Sequence, residues 1–385
     1  MKHPVHDKLL NNLDKKLNTR AIFLDFAKAF DSVSHEILIR KMEKYGVRGN
    51  ALNFFKSYLS SRNQIVSLNN ILSSPLVVKF GVPQGSILGP LLFLIFINDL
   101  PYATNFFVRL FADDTFLCTQ NENDSLLENE VNNELQKVHE WLAANKLTLN
   151  VSKSKFMIIS KKKQRPNLNV KINGQPLEEC DTYKYLGVII DKDLTWKPHI
   201  EYICKKISMA CGSISKIRHC VDIDTLIEVY HALVYSYLRY GAMVWGHAPE
   251  SSLQPLITLL NRVIRVMTFA PFGIIDLDPI YKYLNILELP KIIDLETAKF
   301  THKMRNGLLP VNTIADHFEQ RPPPIHSYNL RERRNELPNI IYRTEFGDKS
   351  IHVTSCRIWN AIPDEIKQIE SPSAFKKQYK KHLLE

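Results

Sequence analysis

FFVRLFADDTFLC, residues Phe106–Cys118, is the stretch on which the fold turns. Its arms, FFVRLF and TFLC, are short and apolar, and Ala112, Asp113 and Asp114 stand between them. Such arms flanking a polar tip read as a β-hairpin. Ionised carboxylates beside a core are costly unless paired or bound to metal. Asp-Asp is also ordinary turn chemistry, so the tip alone decides nothing about function. Upstream, AIFLDF (Ala21–Phe26) is a second apolar run, the pattern of a strand covered on both faces, and it closes on Asp25. If the two strands are neighbours, their acids meet at one end of a sheet. A divalent cation would relieve the repulsion there, and hard oxygen ligands select Mg²⁺.

Working outward, Asp31–Ser34 gives a helix start, with Leu38, Met42 and Tyr45 on one face and Gly46 as the stop. A second helix follows Asn50, with Leu52, Phe55 and Leu59 inward. Gln64 to Phe80 reads as a hairpin turning at Asn69-Asn70. GVPQGS is a Gly-Pro loop, and the apolar run after it, up to Ile97, is a buried core helix too short to span a bilayer. Leu127, Val131, Leu135, Val138 and Leu142 form the stripe of an amphipathic helix. LTLNVSKSKFMIIS ends as a strand, and TYKYLGVII reads as one more. From about Trp196 helical patterns dominate: 198–219, 223–240, 253–269 and 279–306. RPPP at Arg321–Pro324 is the best linker, and RERR at Arg331–Arg334 opens a basic tail. The expected architecture is α+β. A ferredoxin-like split βαβ sheet with helices on one face over 1–195 is followed by a helical domain over 196–320 and a basic appendage over 321–385.

The totals agree. Lys and Arg number 50 against 40 Asp and Glu, a net charge of +10, which favours a polyanionic partner, nucleic acid before anionic membrane. The six cysteines form no CxxC pair and no His pair has zinc-finger spacing, so they read as reduced thiols of an intracellular protein. The first residues, MKHPVHDKLLNNLDKK, hold no signal-peptide apolar core, and the expected place is nucleus or cytoplasm, without membrane association.

FLDFAKAFDSV, then GVPQGSILGP, then FADDT, then NVSKSK, then YLGVIID, in that order, resembles the reverse-transcriptase family. YGAMVWG and WNAIPDEIKQIESPSAFKKQ look like the C-terminal parts of LINE-type, jockey-like retrotransposon polymerases. The resemblance implies an RNA-directed DNA polymerase, with a reverse-transcriptase palm over 1–195 and a thumb-like helical domain over 196–320, working on an RNA template, a DNA primer and dNTPs, with two Mg²⁺ ions that Mn²⁺ could replace. It implies that Asp25 and Asp113 hold metal with the backbone carbonyl of Phe26, and that Asp114 supports them. Phe30 would lie beneath the sugar and reject a 2′-hydroxyl; its plainer reading is a core aromatic. Gln84 would pack beside the incoming nucleotide, with Gly85 letting the backbone come close. Lys153 would meet the leaving pyrophosphate; by itself it is a solvated lysine in a basic run that continues at Lys161, Lys162, Lys163 and Arg165. Leu186 and Gly187 would grip the primer.

The resemblance departs in one place. Only 24 residues precede Asp25, and the fingers motifs and upstream endonuclease of such elements are not found, so a truncated copy with weak or no activity alone is expected. The alternative is an inactive relic that still binds RNA. A group II intron-type protein shares the motifs, but the LINE-like second half counts against it. Nothing in the chain fixes its oligomeric state.

Overall fold

The computed structural model describes residues 2–60, 62–121, 124–162, 169–271, 273–309, 336–338 and 344–385. RPPP, RERR, Lys163 and Arg165 lie outside the described residues. The chain forms two compact units, Leu17–Asp181 and Met1–Lys16 with Thr182–Glu385. The boundary thus falls before Thr182, where the sequence reading placed it at 195. The N-terminal helix α1 (Lys2–Asp14) belongs to the second unit. Its Val5, Leu9, Leu10 and Leu13 are buried.

The first unit is built on β1 (Asn18–Leu24), every residue of which is buried. α2 (His35–Lys44) follows, with Glu36 in its first turn and Lys41 and Lys44 in its last, charges that complement the helix dipole. Leu38 and Met42 face the core, but Tyr45 caps the helix and is 48% exposed, so the expected inward face is one residue shorter. Gly46, at φ 91°, ends it. α3 (Gly49–Leu59) buries Leu52 and Leu59. A long hairpin comes next, its strands β2 (Asn63–Gln64), β3 (Ser67–Leu68), β4 (Ile71–Leu72) and β5 (Leu76–Val77) pairing β3 with β4 and β2 with β5. Asn69 and Asn70 both take positive φ, the turn that a two-residue hairpin favours.

α4 (Leu88–Ile97) is apolar throughout, yet only part of it is covered: Leu92, Phe93, Phe96 and Ile97 are buried while Leu91 and Leu94 are exposed. Hydropathy without a polar face cannot say which side meets the core. β6 (Phe107–Phe111) and β7 (Asp114–Asn121) form the hairpin first quoted. α5 (Asp124–Ala144) buries all five residues of its stripe at 1% exposure or less. β8 (Lys155–Ile159) follows, then the small ladder of β9 (Lys171–Ile172) and β10 (Gln175–Pro176), and the edge strand β11 (Glu178–Glu179).

The main sheet runs β11-β8-β1-β7-β6. β1 is antiparallel to both β7 and β8. Leaving β11 aside, that is the fourth, first, third and second strand, the βαββαβ arrangement expected of a ferredoxin-like palm. Ile22, Leu24, Leu117, Phe156 and Ile158 pack with α2, α4 and α5 into one core. Glu134 of α5 pins the segment before β6. Its carboxylate accepts from Thr104 Oγ1 at 2.8 Å, from the Asn105 N–H at 2.7 Å and from Lys137 Nζ at 2.6 Å. Burial alone would raise this carboxyl, but these donors outweigh it and bring the pKa down to about 2. Lys41, also buried, reaches the Phe96 carbonyl at 2.7 Å and Asp99 at 2.6 Å.

The second unit is helical apart from one hairpin. TYKYLGVII is not a single strand: β12 (Thr182–Tyr185) turns at Leu186-Gly187 into β13 (Val188–Asp191). Both turn residues have positive φ, 46° and 77°, which a straight strand cannot accommodate. α6 (Lys197–Ile217) then runs as expected, but 279–306 divides into 278–283 and 289–305. Asn285 at φ 53° breaks the run, and Pro290 opens the second piece. Asp7 on α1 accepts from the Ile351 N–H at 2.8 Å, tying the start of the chain to the helix 351–361. Cys118, Cys211 and Cys356 are buried, and none of the six cysteines is joined in a disulfide. Among the described residues no helix is long and apolar enough to cross a membrane.

Candidate active site

The register of β1 on β7 brings the acids together. Leu24 stands opposite Thr115, so Asp25, next on β1, lies beside Asp114, which opens β7. Side chains alternate along a strand, so Asp25 and Asp114 share the sheet face that carries Phe23 and Phe116, whose rings lie 5.5 Å apart. Asp113 sits with Ala112 in the two-residue link between β6 and β7. Ala112 takes φ 50°, a left-handed conformation uncommon for a residue with a Cβ. Asp113 and Asp114 are exposed, Asp25 partly so. Partial burial first, then the charges of Asp113 and Asp25, push the Asp114 carboxyl above its ordinary value. The three acids therefore repel one another.

The backbone beyond β1 is clamped. Ala27 N–H donates to the Thr148 carbonyl and Asn150 N–H to the Asp25 carbonyl, both at 2.8 Å, around an antiparallel bridge between Phe26 and Leu149. In such a pair the bridged residue's own carbonyl points away from its partner strand, which leaves that of Phe26 free of Leu149. Ser154, fully buried, accepts the Asp25 N–H at 3.1 Å and donates to the Asn150 carbonyl at 2.9 Å. Lys153 is the exposed neighbour of Ser154 in the same turn, so its stem starts next to the residue that fixes Asp25.

A second group gathers on the one-turn 3₁₀ helix Ala29–Asp31. Phe30 is half-buried, its ring 4.7 Å from that of Phe93. Its carbonyl accepts the Val82 N–H at 2.8 Å, and Gln84 Nε2 donates to Asp31 Oδ1 at 2.9 Å. The GVPQG loop thus lies on the turn that follows Asp25. Gly81 is required there: at φ 88°, a Cβ on it would stand 2.9 Å from the Asp31 carbonyl oxygen. Gly85, at φ 77°, has open space around it.

Leu186 and Gly187 belong to the other unit and form the tip of the β12–β13 hairpin. Tyr240 holds this tip: its hydroxyl donates to the Leu186 carbonyl at 2.7 Å, and a Cβ on Gly187 would meet its ring at 3.0 Å. Trp245 Nε1, in turn, donates to the Tyr240 carbonyl at 3.0 Å. Ser154, Asp31 and Tyr240 were not singled out from the sequence. Each lay inside a quoted motif, Asp31 in FLDFAKAFDSV, Ser154 in NVSKSK and Tyr240 in YGAMVWG, but none was given a role.

The acids offer hard oxygen donors of the kind Mg²⁺ takes. Among the described residues no three His, Cys, Asp or Glu side chains stand close enough to enclose an ion by themselves. Two carboxylates and a carbonyl suit an ion that keeps waters and a substrate phosphate in its shell, so the donor set fits.

Residues 2–190 match the family model described as reverse transcriptase (RNA-dependent DNA polymerase), so this region, just under half of the chain, is similar to that family. The similarity extends to polymerases of mobile elements. The chain is 28% identical over 321 residues to the probable RNA-directed DNA polymerase from transposon BS of Drosophila melanogaster, covering 79% of this chain and 34% of that protein. With the RNA-directed DNA polymerase from mobile element jockey of Drosophila funebris it shares 28% identity over 318 residues, 78% of this chain and 34% of the other. The chain spans about a third of the length of these relatives. Among solved structures, telomerase from Candida albicans with a fragment of telomeric RNA aligns over 74% of this chain and 54% of its own at 12% identity. The TM-score, 0.41, is too low for a common fold to be argued from it.

Proposed function

We propose that this site performs RNA-directed DNA synthesis: nucleotidyl transfer from a dNTP to the 3′-hydroxyl of a DNA primer paired to an RNA template. The observation that carries it is the meeting of Asp25, Asp113 and Asp114 at adjacent ends of β1 and β7, with the Asp114 carboxyl raised by partial burial first and then by the charges of the other two. Asp25, Asp113 and the Phe26 carbonyl would hold the divalent ions, Mg²⁺ or in its place Mn²⁺. When bound, such ions neutralise the triphosphate and clamp both oxygens of an in-line displacement. Asp114 adds negative potential, and Ser154 holds the Asp25 backbone so that its carboxylate needs little reorganisation.

The remaining roles follow from position. Phe30, backed by Phe93, is a rigid surface on the turn after Asp25 and suits exclusion of a 2′-hydroxyl. Gln84, anchored to Asp31, and Gly85 beside it suit contact with the incoming nucleotide. Lys153 offers a cation for the departing pyrophosphate. The Leu186-Gly187 tip, stiffened by Tyr240, suits the primer strand. On this reading the palm is the unit Leu17–Asp181, and a helical thumb-like region and a basic tail complete the chain.

The test is Mg²⁺-dependent primer extension on an RNA template. Asp113→Asn should lower the rate by about 10³-fold or more, as loss of a metal ligand costs several kcal/mol of transition-state stabilisation. Extension by Asp113→Asn at the parent rate would remove the metal argument.

A further inference from the structure

The first unit carries a groove of about 680 Å³ lined by none of the residues given a polymerase role above. α2 forms one wall, the C-terminal end of α3 another, and residues 77–80, the stretch leading into the GVPQG loop, the third. Its size is that of an ordinary small-ligand site, about 300–1,000 Å³. The floor is apolar, with Ile39 and the well-buried Leu59. Phe80 stands at the edge and is 46% exposed, although it lies between ordered segments. The Ser34–Phe80 bridge fixes its backbone on one side, and His35 Nε2, 2.7 Å from the Gly81 carbonyl, fixes the next residue.

The charges of the groove divide into two sets. Arg40 pairs with Glu36 at 2.6 Å and Lys56 with Glu43 at 3.3 Å, so those four cancel. Lys79 and Lys146 have no carboxylate within ion-pair distance among the described residues. Lys146 Nζ stands 5.9 Å from the centre of the Phe80 ring. An exposed aromatic face flanked by unpaired cations, in a chain of net charge +10, matches an unpaired base with its neighbouring phosphates. A duplex hides its base faces and would leave Phe80 unused.

We propose that this groove binds single-stranded RNA, one base stacking on Phe80 and the flanking phosphates meeting Lys79 and Lys146. The proposal rests on the polymerase reading, since Phe80 of the groove directly precedes the loop that carries Gln84, and a single strand there is template not yet copied.

The experiment is fluorescence anisotropy of the full chain with a labelled single-stranded RNA, titrated at several salt concentrations. Lys79→Ala with Lys146→Ala should weaken binding and reduce the salt slope by about 1.4, two phosphate contacts at about 0.7 each. Phe80→Ala should weaken binding at least about 5-fold, the lower end for loss of one stacked base. RNA carrying a photoreactive uridine should cross-link within 77–80 or at Lys146, a readout that needs no variant to fold. Parent affinity and salt slope in both variants, equal competition by blunt duplex RNA, or cross-links only outside the groove would each overturn the proposal. The two readings separate in the readouts: anisotropy and cross-links report the groove alone, and primer extension by Asp113→Asn bears on the polymerase site alone.

Discussion

Asp114 shows how one side chain carries both a stability cost and a functional sign. Partial burial, then Asp113 and Asp25, raise its carboxyl in the folded state. A raised carboxyl binds its proton more tightly folded than unfolded. Its effect on stability is therefore most favourable below the ordinary carboxylate range and is lost as pH rises through the folded value. Asp114→Asn should accordingly raise Tm at pH 7 and leave it unchanged near pH 3, as thermal melts without divalent ions would show. A larger gain at acid pH would contradict the shared-charge picture. Mg²⁺ should raise the parent's Tm and do less for Asp113→Asn, since a ligand stabilises the state it binds. Glu134 is the opposite case. Its donors hold it at about 2, so its contribution is complete above the ordinary glutamate value and fades as pH falls toward 2. Glu134→Ala strands Thr104 and the Asn105 N–H and should cost about 3 kcal/mol at pH 7. Urea unfolding measures it; a loss under 1 kcal/mol would mean that water replaces the carboxylate.

Among the elements, the β12–β13 hairpin depends most on a distant partner. Its tip needs two positive φ values, one of them at Leu186, where a Cβ makes that conformation costly. The Tyr240 hydroxyl on the Leu186 carbonyl offsets part of that cost. Tyr240→Phe keeps the ring against Gly187 and removes one hydrogen bond worth about 1 kcal/mol. The expected result is amide exchange at Leu186–Val188 about 5-fold faster with Tm almost unchanged. Exchange at the parent rate would show that the ring alone holds the tip. The β6–β7 hairpin is different in kind: apolar arms, a two-residue link and a partner strand on one side suffice, so its reading from sequence needed no remote residue.

For the molecule as a whole, charge is the property that acts at range. With 50 basic and 40 acidic residues, RNA binding should fall steeply with salt, with a log–log slope of magnitude about 3 or more if four phosphates are neutralised. Anisotropy at increasing KCl checks this, and a flat response would point to a non-electrostatic partner. The elements themselves were legible in the letters. β1, the β6–β7 hairpin and the stripe of α5 follow from periods of 2 and 3.6 and from turn residues, which act between near neighbours in the chain. Several features were not legible. α1 belongs with residues 182–385, although nothing near Val5 or Leu9 announces it. The run 279–306 breaks at Asn285, and Leu186-Gly187 bends where the letters read straight. Ser154 beneath Asp25 and Asp31 beneath Gln84 are joined across 129 and 53 residues. The sequence by itself determined the α+β order of elements and the acids that close β1 and open β7, because both rest on local chemistry and periodicity. Only the tertiary structure decided that Leu24 pairs with Thr115, so that Asp25 comes beside Asp114. Strand register is set by side chains packing across a sheet, and a slip of one residue would turn Asp25 to the opposite face.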